Sequence, residues 1–254
     1  MHEPFERIVC LTEEPAELLY LLGEQRRIVG ISAYTVRPPE ARREKPIVSA
    51  FMNGSLSKIK ALAPDLVIGF SDIQAKYAAE LIAAGMQVII FNQRSIAEIL
   101  KVIVATGRLV GAEQRARVLV AEYEARIAAV RARTAGRPRP KVYFEEWPDP
   151  IITSIRWVSE LIELAGGDNI FRELAEHPNA KERIVQARDV IERAPDVVLA
   201  SWCGKPFDRD KFFARDGFEA LRGKPVHELP SSIILQPGPA CLTDGLDMLE
   251  RLLQ

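Results

Sequence analysis

Cysteine and histidine are scarce in this chain of 254 residues, which contains three of each. Cys10, Cys203 and Cys241 lie far apart, so the sequence has no CxxC motif and no framework for disulfide bonds. The three histidines are equally scattered, which disfavours a metal site built from imidazoles. Basic and acidic residues nearly cancel, at 34 against 35, and this balance disfavours a nucleic-acid binder.

The chain also lacks an apolar run near the ~20 residues that a membrane-spanning helix needs. Its first ten residues, MHEPFERIVC, carry charges where a signal peptide would need an apolar stretch. The sequence as it stands therefore predicts a cytoplasmic protein, or a periplasmic one if a leader has been removed.

Motifs of the common enzyme classes are missing. No GxGxxG follows the first predicted strand, no GxSxG occurs, and the pair Gly204-Lys205 is not part of a phosphate-binding loop. Glu145 and Glu146 could act as paired carboxylates in acid–base chemistry. Adjacent residues of a strand point to opposite faces, however, so the role of a polar ligand anchor is favoured. We predict no enzyme, no catalytic residue and no metal site.

Short β-branched runs alternate with helical patterns, which indicates an α/β fold with parallel sheets. Strands are predicted at 7–11, 27–31, 65–70, 87–91, 141–145, 196–201 and 225–229. Helices are predicted at 15–22, 56–62, 75–84, 113–135, 158–165 and 244–253. For the last helix, Thr243 is the predicted N-cap.

The longest predicted helix, at 113–135, carries one apolar stripe and ends at the helix-stopping segment 136–140, which contains two prolines. Its length and central position favour a strut between two lobes. We predict a Rossmann-like α/β lobe at 1–111, a linking backbone helix at 112–136 and a second Rossmann-like lobe at 137–254.

An internal repeat supports two lobes of similar build. The segment Ala63-Pro64-Asp65, which precedes one predicted strand, recurs as Ala194-Pro195-Asp196 before another. A weaker repeat relates Glu17-Leu18 and Gly23 to Glu160-Leu161 and Gly166. The loop after the strand at 65–70 is therefore predicted to be equivalent to the loop after the strand at 196–201.

Ligands of open parallel sheets bind beyond the carboxyl ends of the strands. All three tryptophans of the chain, Trp147, Trp157 and Trp202, fall at such predicted edges in the second lobe. Any one of them could be a packing residue. Together they favour an aromatic pocket for a large, mostly planar organic ligand.

Several stretches carry a resemblance to a known family. They are RIVCLTEEPAELLYLLGEQRRIVGIS, SLSKIKALAPDLVIGF, YFEEWPDPIIT, WVSELIELAGGDNIF, VIERAPDVVLASWCGKP and LQPGPACLTDGL. With them the chain resembles the cobalamin-binding members of the helical-backbone (class III) periplasmic substrate-binding proteins of ABC transporters. The resemblance covers nearly the whole chain.

The resemblance implies a non-enzymatic protein that binds cobalamin or a related corrinoid in a cleft between the two lobes, as a ligand and not as a catalytic cofactor. It leaves two alternatives. One is an iron-siderophore or haem binder on the same scaffold, and the other is a cytoplasmic corrinoid-handling protein that is not coupled to an importer. The ligand-binding residues that it implies are Tyr34, Phe51, Met52, Asn53, Phe70, Glu145, Trp147, Trp157, Trp202 and Gln236.

The resemblance also implies an ABC importer permease as a partner, which family members contact through one exposed glutamate on each lobe. Those positions align with Ser57 and with Arg188, which is followed by Asp189. Replacing a glutamate by an arginine reverses the charge at such a contact and makes it unfavourable. The sequence therefore disfavours docking to a standard importer.

Overall fold

The computed structural model of the protein describes residues 4–254 and divides into two compact units. The first contains the chain up to Gln93 together with Ala97–Glu122, and the second contains Arg94–Ile96 and Tyr123–Gln254. Within residues 4–254, no helix is both long and apolar enough to span a membrane.

The first unit is built on a parallel sheet of five strands. They are β1 (Ile8–Cys10), β2 (Ile28–Ser32), β3 (Ile47–Ser49), β4 (Leu66–Phe70) and β5 (Val88–Phe91), in the order β3-β2-β1-β4-β5. The helices are α1 (Glu13–Leu21), α2 (Ala41–Glu44), α3 (Leu56–Ala61), α4 (Ala75–Ala83) and α5 (Ile96–Leu109). Apolar side chains of the central strands, such as Val9 and Val67, pack against α3 and α4 and form the core.

The second unit has a similar, mostly parallel sheet. Its strands are β6 (Lys141–Pro148), β7 (Ile151–Thr153), β8 (Asp168–Asn169), β9 (Val197–Ala200) and β10 (Val226–Glu228). The order is β10-β9-β6-β7, with β8 also paired to β6, and only the β6–β7 hairpin is antiparallel among the described strand pairs. The helices that follow α6 (Glu113–Thr134) are α7 (Arg156–Leu164), α8 (Arg172–Ala175), α9 (Ala187–Glu192), α10 (Arg209–Phe213), α11 (Ser231–Ile234) and α12 (Leu246–Leu252).

The predicted fold class is confirmed, because two units with parallel sheets alternate strands with helices as expected. The predicted long helix is α6, and the division between the units falls inside it, after Glu122. The exact lobe limits at 111 and 137 stay predictions.

The internal repeat has a backbone counterpart in each unit. Ala63 and Ala194, which precede β4 and β9, both adopt left-handed conformations, with φ of 44° and 49°. Gly23 and Gly166, which follow α1 and α7, also have positive φ, at 70° and 92°. Left-handed backbone ends a helix and turns the chain back toward the sheet, so each pair marks the same turn in both units.

The aspartates of the repeat fix equivalent strands to one another. The Asp65 carboxylate accepts a hydrogen bond from the backbone N–H of Arg7 at 2.9 Å, just before β1. The Asp196 carboxylate accepts one from the backbone N–H of Lys141 at 3.0 Å, at the start of β6. In both units the Pro-Asp segment therefore aligns the two central strands at their amino ends.

The start of the last helix differs from the prediction. A π-helical turn at Cys241–Gly245 precedes α12, and Ala240 before it already has helical dihedrals, with φ −57° and ψ −43°. Thr243 therefore lies inside the helical segment, and its hydroxyl donates to the carbonyl oxygen of Pro239 at 3.0 Å. The prediction of Thr243 as an N-cap is wrong, because an N-cap residue has a non-helical backbone and Thr243 lies within the helical segment.

Candidate functional site

The loops after β2, β3 and β4, together with the last residue of β4, form what we call the first edge, which holds five of the predicted site residues. Because these strands are parallel neighbours, their carboxyl ends lie on one side of the sheet. Tyr34, Met52 and Asn53 are exposed, Phe51 is half-buried and Phe70 is buried. The exposed fractions of Tyr34 and Met52 reach 51% and 63%, which is unusual for large apolar side chains.

Two further apolar residues at the first edge escaped the sequence analysis. Val36 follows β2 and Ile73 follows β4, and both are exposed. With Tyr34 and Met52 they concentrate exposed apolar surface on the loops of one sheet edge, which is typical of a binding surface. Apolar residues just after a predicted strand are the signal that could have found them.

Gln74 joins two loops of the first edge. Its side chain is fully buried. Its Oε1 accepts a hydrogen bond from the backbone N–H of Phe70 at 3.0 Å, and its Nε2 donates to the carbonyl oxygen of Phe51 at 2.5 Å. One amide group therefore fixes the end of β4 to the loop after β3.

Glycine at position 69 makes room for this amide. A Cβ atom on Gly69 would lie 2.2 Å from Oε1 of Gln74, a distance that no side chain tolerates. A Cβ atom on Gly54 would likewise lie 2.3 Å from the hydroxyl oxygen of Tyr77. Both glycines allow the backbone to approach a buried side chain closely.

The loop after β1 leads into three buried glutamates on α1: Glu13, Glu14 and Glu17. The backbone N–H of Val36 donates to Glu13 at 3.0 Å, and the guanidinium of Arg37 pairs with Glu17 at 3.0 Å. Burial raises the pKa of Glu13 from its ordinary value of 4.5 to about 8 and that of Glu14 to about 7. The carboxyl groups of Glu13 and Glu14 are therefore partly protonated near neutral pH, and Glu13 contacts the loop after β2 through Val36.

In the second unit, the loops after β6 and β9 form what we call the second edge. Glu145, near the end of β6, is fully buried. Its carboxylate accepts hydrogen bonds from the hydroxyl of Tyr143 at 2.7 Å, from the indole N–H of Trp202 at 2.9 Å and from Arg215 at 2.8 Å. Burial raises the pKa of Glu145, and the positive charge of Arg215 opposes that rise.

Arg215 reaches Glu145 from an aromatic cluster. Its guanidinium lies over the rings of Phe212 and Phe218, at 4.7 and 4.2 Å from their centroids. It also donates to the carbonyl oxygen of Pro148 at 3.3 Å. The carboxylate of Glu145, the predicted ligand anchor, is thus hydrogen-bonded to groups of the protein itself. One of these groups is the indole of Trp202, another predicted site residue.

The neighbouring Glu146 is held by a second arginine. Arg183, which is almost fully buried, donates to Glu146 at 2.7 Å and to the carbonyl oxygen of Thr153 at 2.5 Å. The two glutamates have separate arginine partners, as expected for successive residues of a strand. Arg183 and Arg215 together fix the end of the β6–β7 hairpin.

Trp147 lies on that hairpin and is half-buried. Its indole N–H donates to the carbonyl oxygen of Asp149 at 2.8 Å. The ammonium of Lys205, from the loop after β9, lies 4.4 Å from its ring centroid. This cation–π contact places a positive charge at the second edge.

The other two tryptophans are buried. Trp202 packs edge-on against Phe207, with ring centroids 4.9 Å apart. Trp157 lies in the first turn of α7, and its indole N–H donates to the carbonyl oxygen of Ile234 at 3.0 Å. The structure thus places Trp157 in the interior of the second unit, on a helix and not on the loop edge assumed from the sequence.

Gln236 precedes the π-helical turn of the second unit and is half-buried. Its carbonyl oxygen accepts a hydrogen bond from the N–H of Gly238 at 2.8 Å, which closes a tight turn. The side chain thus projects from a turn of defined backbone geometry.

The two predicted docking positions are exposed. Ser57 lies in the first turn of α3, and Arg188 lies in the first turn of α9. Asp189 forms a capping box with Gln186, because its carboxylate accepts the backbone N–H of Gln186 at 3.1 Å. The neighbouring carboxylate is therefore engaged in capping α9.

Cysteine, histidine, aspartate and glutamate side chains of residues 4–254 do not gather in any group of three or more that could hold a metal ion. What the two edges offer is apolar and aromatic surface with a few amides, with the cations Arg37 at the first edge and Lys205 at the second. Such surfaces bind organic ligands by contact.

Two α/β units with parallel sheets match the fold of the class III periplasmic binding proteins. Residues 8–233 match the family described as Periplasmic binding protein, and the chain belongs to this family. Its members are substrate-binding proteins of ABC importers and not enzymes.

A sequence relative bears the name Vitamin B12-binding protein and comes from Vibrio parahaemolyticus. It is 25% identical over 252 residues, which cover 98% of this chain and 90% of the relative. The similarity therefore extends over both units.

Two solved structures show how broad the scaffold is. The periplasmic heme-binding protein of Roseiflexus sp. RS-1 matches with a TM-score of 0.77 and 27% identity, covering 98% of this chain and 99% of that one. The periplasmic vitamin B12-binding protein of Vibrio cholerae matches with a TM-score of 0.76 and 23% identity, covering 99% and 98%. The fold is thus common to proteins whose names record different ligands.

Proposed function

We propose that this protein binds cobalamin or a related corrinoid as its ligand. The observation that carries the proposal is the exposed apolar surface of the first edge, formed by Tyr34, Val36, Met52 and Ile73. Flat macrocycles bury large apolar faces, and side chains of this kind supply matching contact. The half-buried ring of Trp147 offers an aromatic surface at the second edge. The name of the Vibrio parahaemolyticus relative supports the same ligand.

The charge of the first edge favours a corrinoid over haem. A corrin ring carries neutral amide side chains, whereas haem carries two anionic propionates. Asn53 is exposed and can exchange hydrogen bonds with amides. The charged side chain beside Ile73 is the carboxylate of Asp72, which would repel a propionate.

Haem is the second candidate, because one residue suits it. Tyr34 exposes its ring at the first edge, and a tyrosine phenolate is a known haem-iron ligand. The 27% identity to the Roseiflexus heme-binding protein points the same way. An iron siderophore is a weaker alternative, since anionic chelates need several cationic partners and the arginines at the edges, Arg37 and Arg215, are already paired with Glu17 and Glu145.

Of the predicted site residues, eight are proposed contacts and two take a supporting role. The contacting residues are Tyr34, Phe51, Met52, Asn53, Phe70, Trp147, Trp202 and Gln236. Glu145 orients Trp202 by accepting a hydrogen bond from its indole N–H. Trp157 supports the second unit by packing, since it is buried and bonded to Ile234.

The first experiment is a titration of cyanocobalamin, cobinamide and haem into the purified protein, followed by visible absorbance and calorimetry. We expect one-to-one binding of a corrinoid at micromolar or lower concentration. Binding of haem alone would replace the first candidate by the second.

A pair of variants tests the location. Met52→Ser removes an exposed apolar side chain from the first edge, and Ile82→Ser removes one near the carboxyl end of α4. Because α4 returns antiparallel to the strands, Ile82 lies toward the opposite edge of the sheet. Corrinoid affinity should fall in Met52→Ser and stay unchanged in Ile82→Ser. An equal effect of both would move the site away from the first edge.

For transport, we propose that the protein handles its ligand without docking to a standard importer. Arg188 is exposed where the resemblance implies a glutamate, and a permease surface rich in arginine would be repelled by it. Uptake driven by a reconstituted B12 importer should appear only in Ser57→Glu/Arg188→Glu. Uptake with the unaltered protein would contradict this.

A further inference from the structure

We infer that Gln74 is a positioning residue for the ligand-contacting loop at 51–53, a role that rests on the proposed function. Gln74 itself is fully buried, so we expect its side chain to make no contact with the ligand. Its two hydrogen bonds join Phe51 to Phe70, and both of these belong to the proposed contacts. The inference is that one amide side chain sets the position of Met52 and Asn53 before the ligand arrives.

The stem of this loop is fixed without Gln74. Ser49 and Gly54 form an isolated antiparallel bridge, and Gly54 packs close to Tyr77. The backbone N–H of Ala50 also donates to the carbonyl oxygen of Asn53 at 2.7 Å. These contacts hold the two ends of the loop together but leave its orientation against β4 undetermined.

Gln74 supplies that orientation. It is the described side-chain link between the carbonyl oxygen of Phe51 and the backbone N–H of Phe70, which ends β4. The backbone N–H of Gln74 in turn donates to the carbonyl oxygen of Ser71 at 2.9 Å, which anchors the glutamine in the turn after β4. The tip of the loop is therefore tied to the sheet through one side chain.

The chemistry requires an amide. Phe70 offers a donor and Phe51 an acceptor, so the side chain between them must accept at one atom and donate at the other. Methionine has a similar length and does neither well. An ionised glutamate can only accept, whereas a protonated glutamate can both accept and donate. This difference gives the inference a pH-dependent signature.

The experiment compares Gln74→Met, Gln74→Glu and Ile59→Val with the unaltered full chain. Ile59 is a fully buried core residue of the same unit, so Ile59→Val is a control for general destabilisation. Hydrogen exchange follows the amides of Ala50 and Phe70, which donate to Asn53 within the loop and to Gln74, and a titration follows cyanocobalamin affinity. In Gln74→Met, we expect exchange at these amides to rise by roughly tenfold relative to Ile59→Val, because each lost hydrogen bond is a factor of this size. Cyanocobalamin affinity should fall by a similar factor.

Two further results separate positioning from general stability. In Gln74→Glu, exchange at Ala50 should be faster than in the unaltered protein near pH 8 and return toward that of the unaltered protein near pH 5, as the carboxyl group takes up a proton. The affinity losses of Gln74→Met and Met52→Ser should also be less than additive, because both act through the same loop.

Equal exchange at Ala50 and Phe70 in Gln74→Met and Ile59→Val would overturn the inference, and so would full additivity of the two affinity losses. If the unaltered protein binds neither corrinoid nor haem, the proposed function fails. The exchange measurements then still decide whether Gln74 positions the loop.

Discussion

One nitrogen of Arg215, Nη2, donates to both carboxylate oxygens of Glu145, at 3.0 and 2.8 Å. The carboxylate is fully buried, and the guanidinium is shielded by two phenylalanine rings. A buried charge of this kind is tolerated because its partner is present. The same carboxylate accepts the indole N–H of Trp202, so this ion pair sets the orientation of an aromatic residue of the proposed site.

Removing one partner of the Glu145–Arg215 ion pair should strongly destabilise the folded protein. Arg215→Met leaves the Glu145 carboxylate buried without its counter-ion, and we expect a loss of about 3–5 kcal/mol in the free energy of unfolding. Urea denaturation measures it. The double variant Glu145→Gln/Arg215→Met should regain part of the loss, because no charge then remains buried. Arg172→Met, which removes an exposed arginine, should change little.

The buried glutamates of α1 should make stability depend on pH. The folded pKa values of Glu13 and Glu14, about 8 and about 7, exceed the ordinary value of 4.5, so folding favours the protonated forms. Their contribution is fully present below about pH 4.5 and is lost as the pH rises through 7 and 8. Glu13→Gln should therefore stabilise the protein at pH 8.5 more than at pH 5.

Urea unfolding at a series of pH values measures this effect. Glutamine keeps an oxygen to accept the N–H of Val36, so the variant alters mainly the ionisation. Glu122→Gln, at an exposed position of α6, serves as the control. A difference between Glu13→Gln and the unaltered protein that does not grow with pH would show that Glu13 ionises normally in the folded state.

Asp65 and Asp196, the aspartates of the internal repeat, should contribute unequally to the free energy of unfolding. Asp65 accepts backbone N–H groups from both Glu6 and Arg7, at 2.7 and 2.9 Å. Asp65→Ala should lower the free energy of unfolding by roughly 1.5–3 kcal/mol, the size expected for hydrogen bonds to a charged group. Asp196→Ala should cost less, since the described backbone donor is Lys141 alone and the carboxylate is half-exposed. Equal losses in urea denaturation would contradict this order.

Lys205 should shield the ring of Trp147. Lys205→Ala removes the ammonium over the ring, so acrylamide should quench the tryptophan fluorescence more efficiently than in the unaltered protein. Lys211→Ala provides the matched control, because Lys211 is exposed and pairs with Asp208 instead. Unchanged quenching in Lys205→Ala would mean that the cation does not cover the ring in solution.

The fold was predictable because its main signals are local. β-Branched runs bounded by turn residues marked seven of the strands, and the Ala-Pro-Asp repeat marked the turn before the central strands of each unit. Helix α5 was missed although Ile96, Ile99 and Ile103 recur at helical spacing and are buried. Strand β3 has only three residues, too few for a periodic pattern.

The site was predictable only in part, because its supporting contacts are not local. The strand-edge rule applied to Tyr34, which follows the predicted strand at 27–31. Met52 and Asn53 came from the family resemblance, because strand β3 before them was not predicted. Nothing near Glu145 in the sequence indicates that Arg215, far along the chain, would pair with it. Trp157 was placed on a loop because the start of α7 lacks a polar capping side chain: its N-cap position is Ile155.

Trp147 belongs to a strand and not to a flexible loop. It pairs with Ile152 across the β6–β7 hairpin, and the arginine partners of Glu145 and Glu146 hold the residues just before it. Its backbone is therefore held by the sheet itself, and binding need not order it. Binding at Trp147 should therefore cost little backbone conformational entropy. The contacts that a ligand makes with its ring should then contribute to affinity with little loss to ordering.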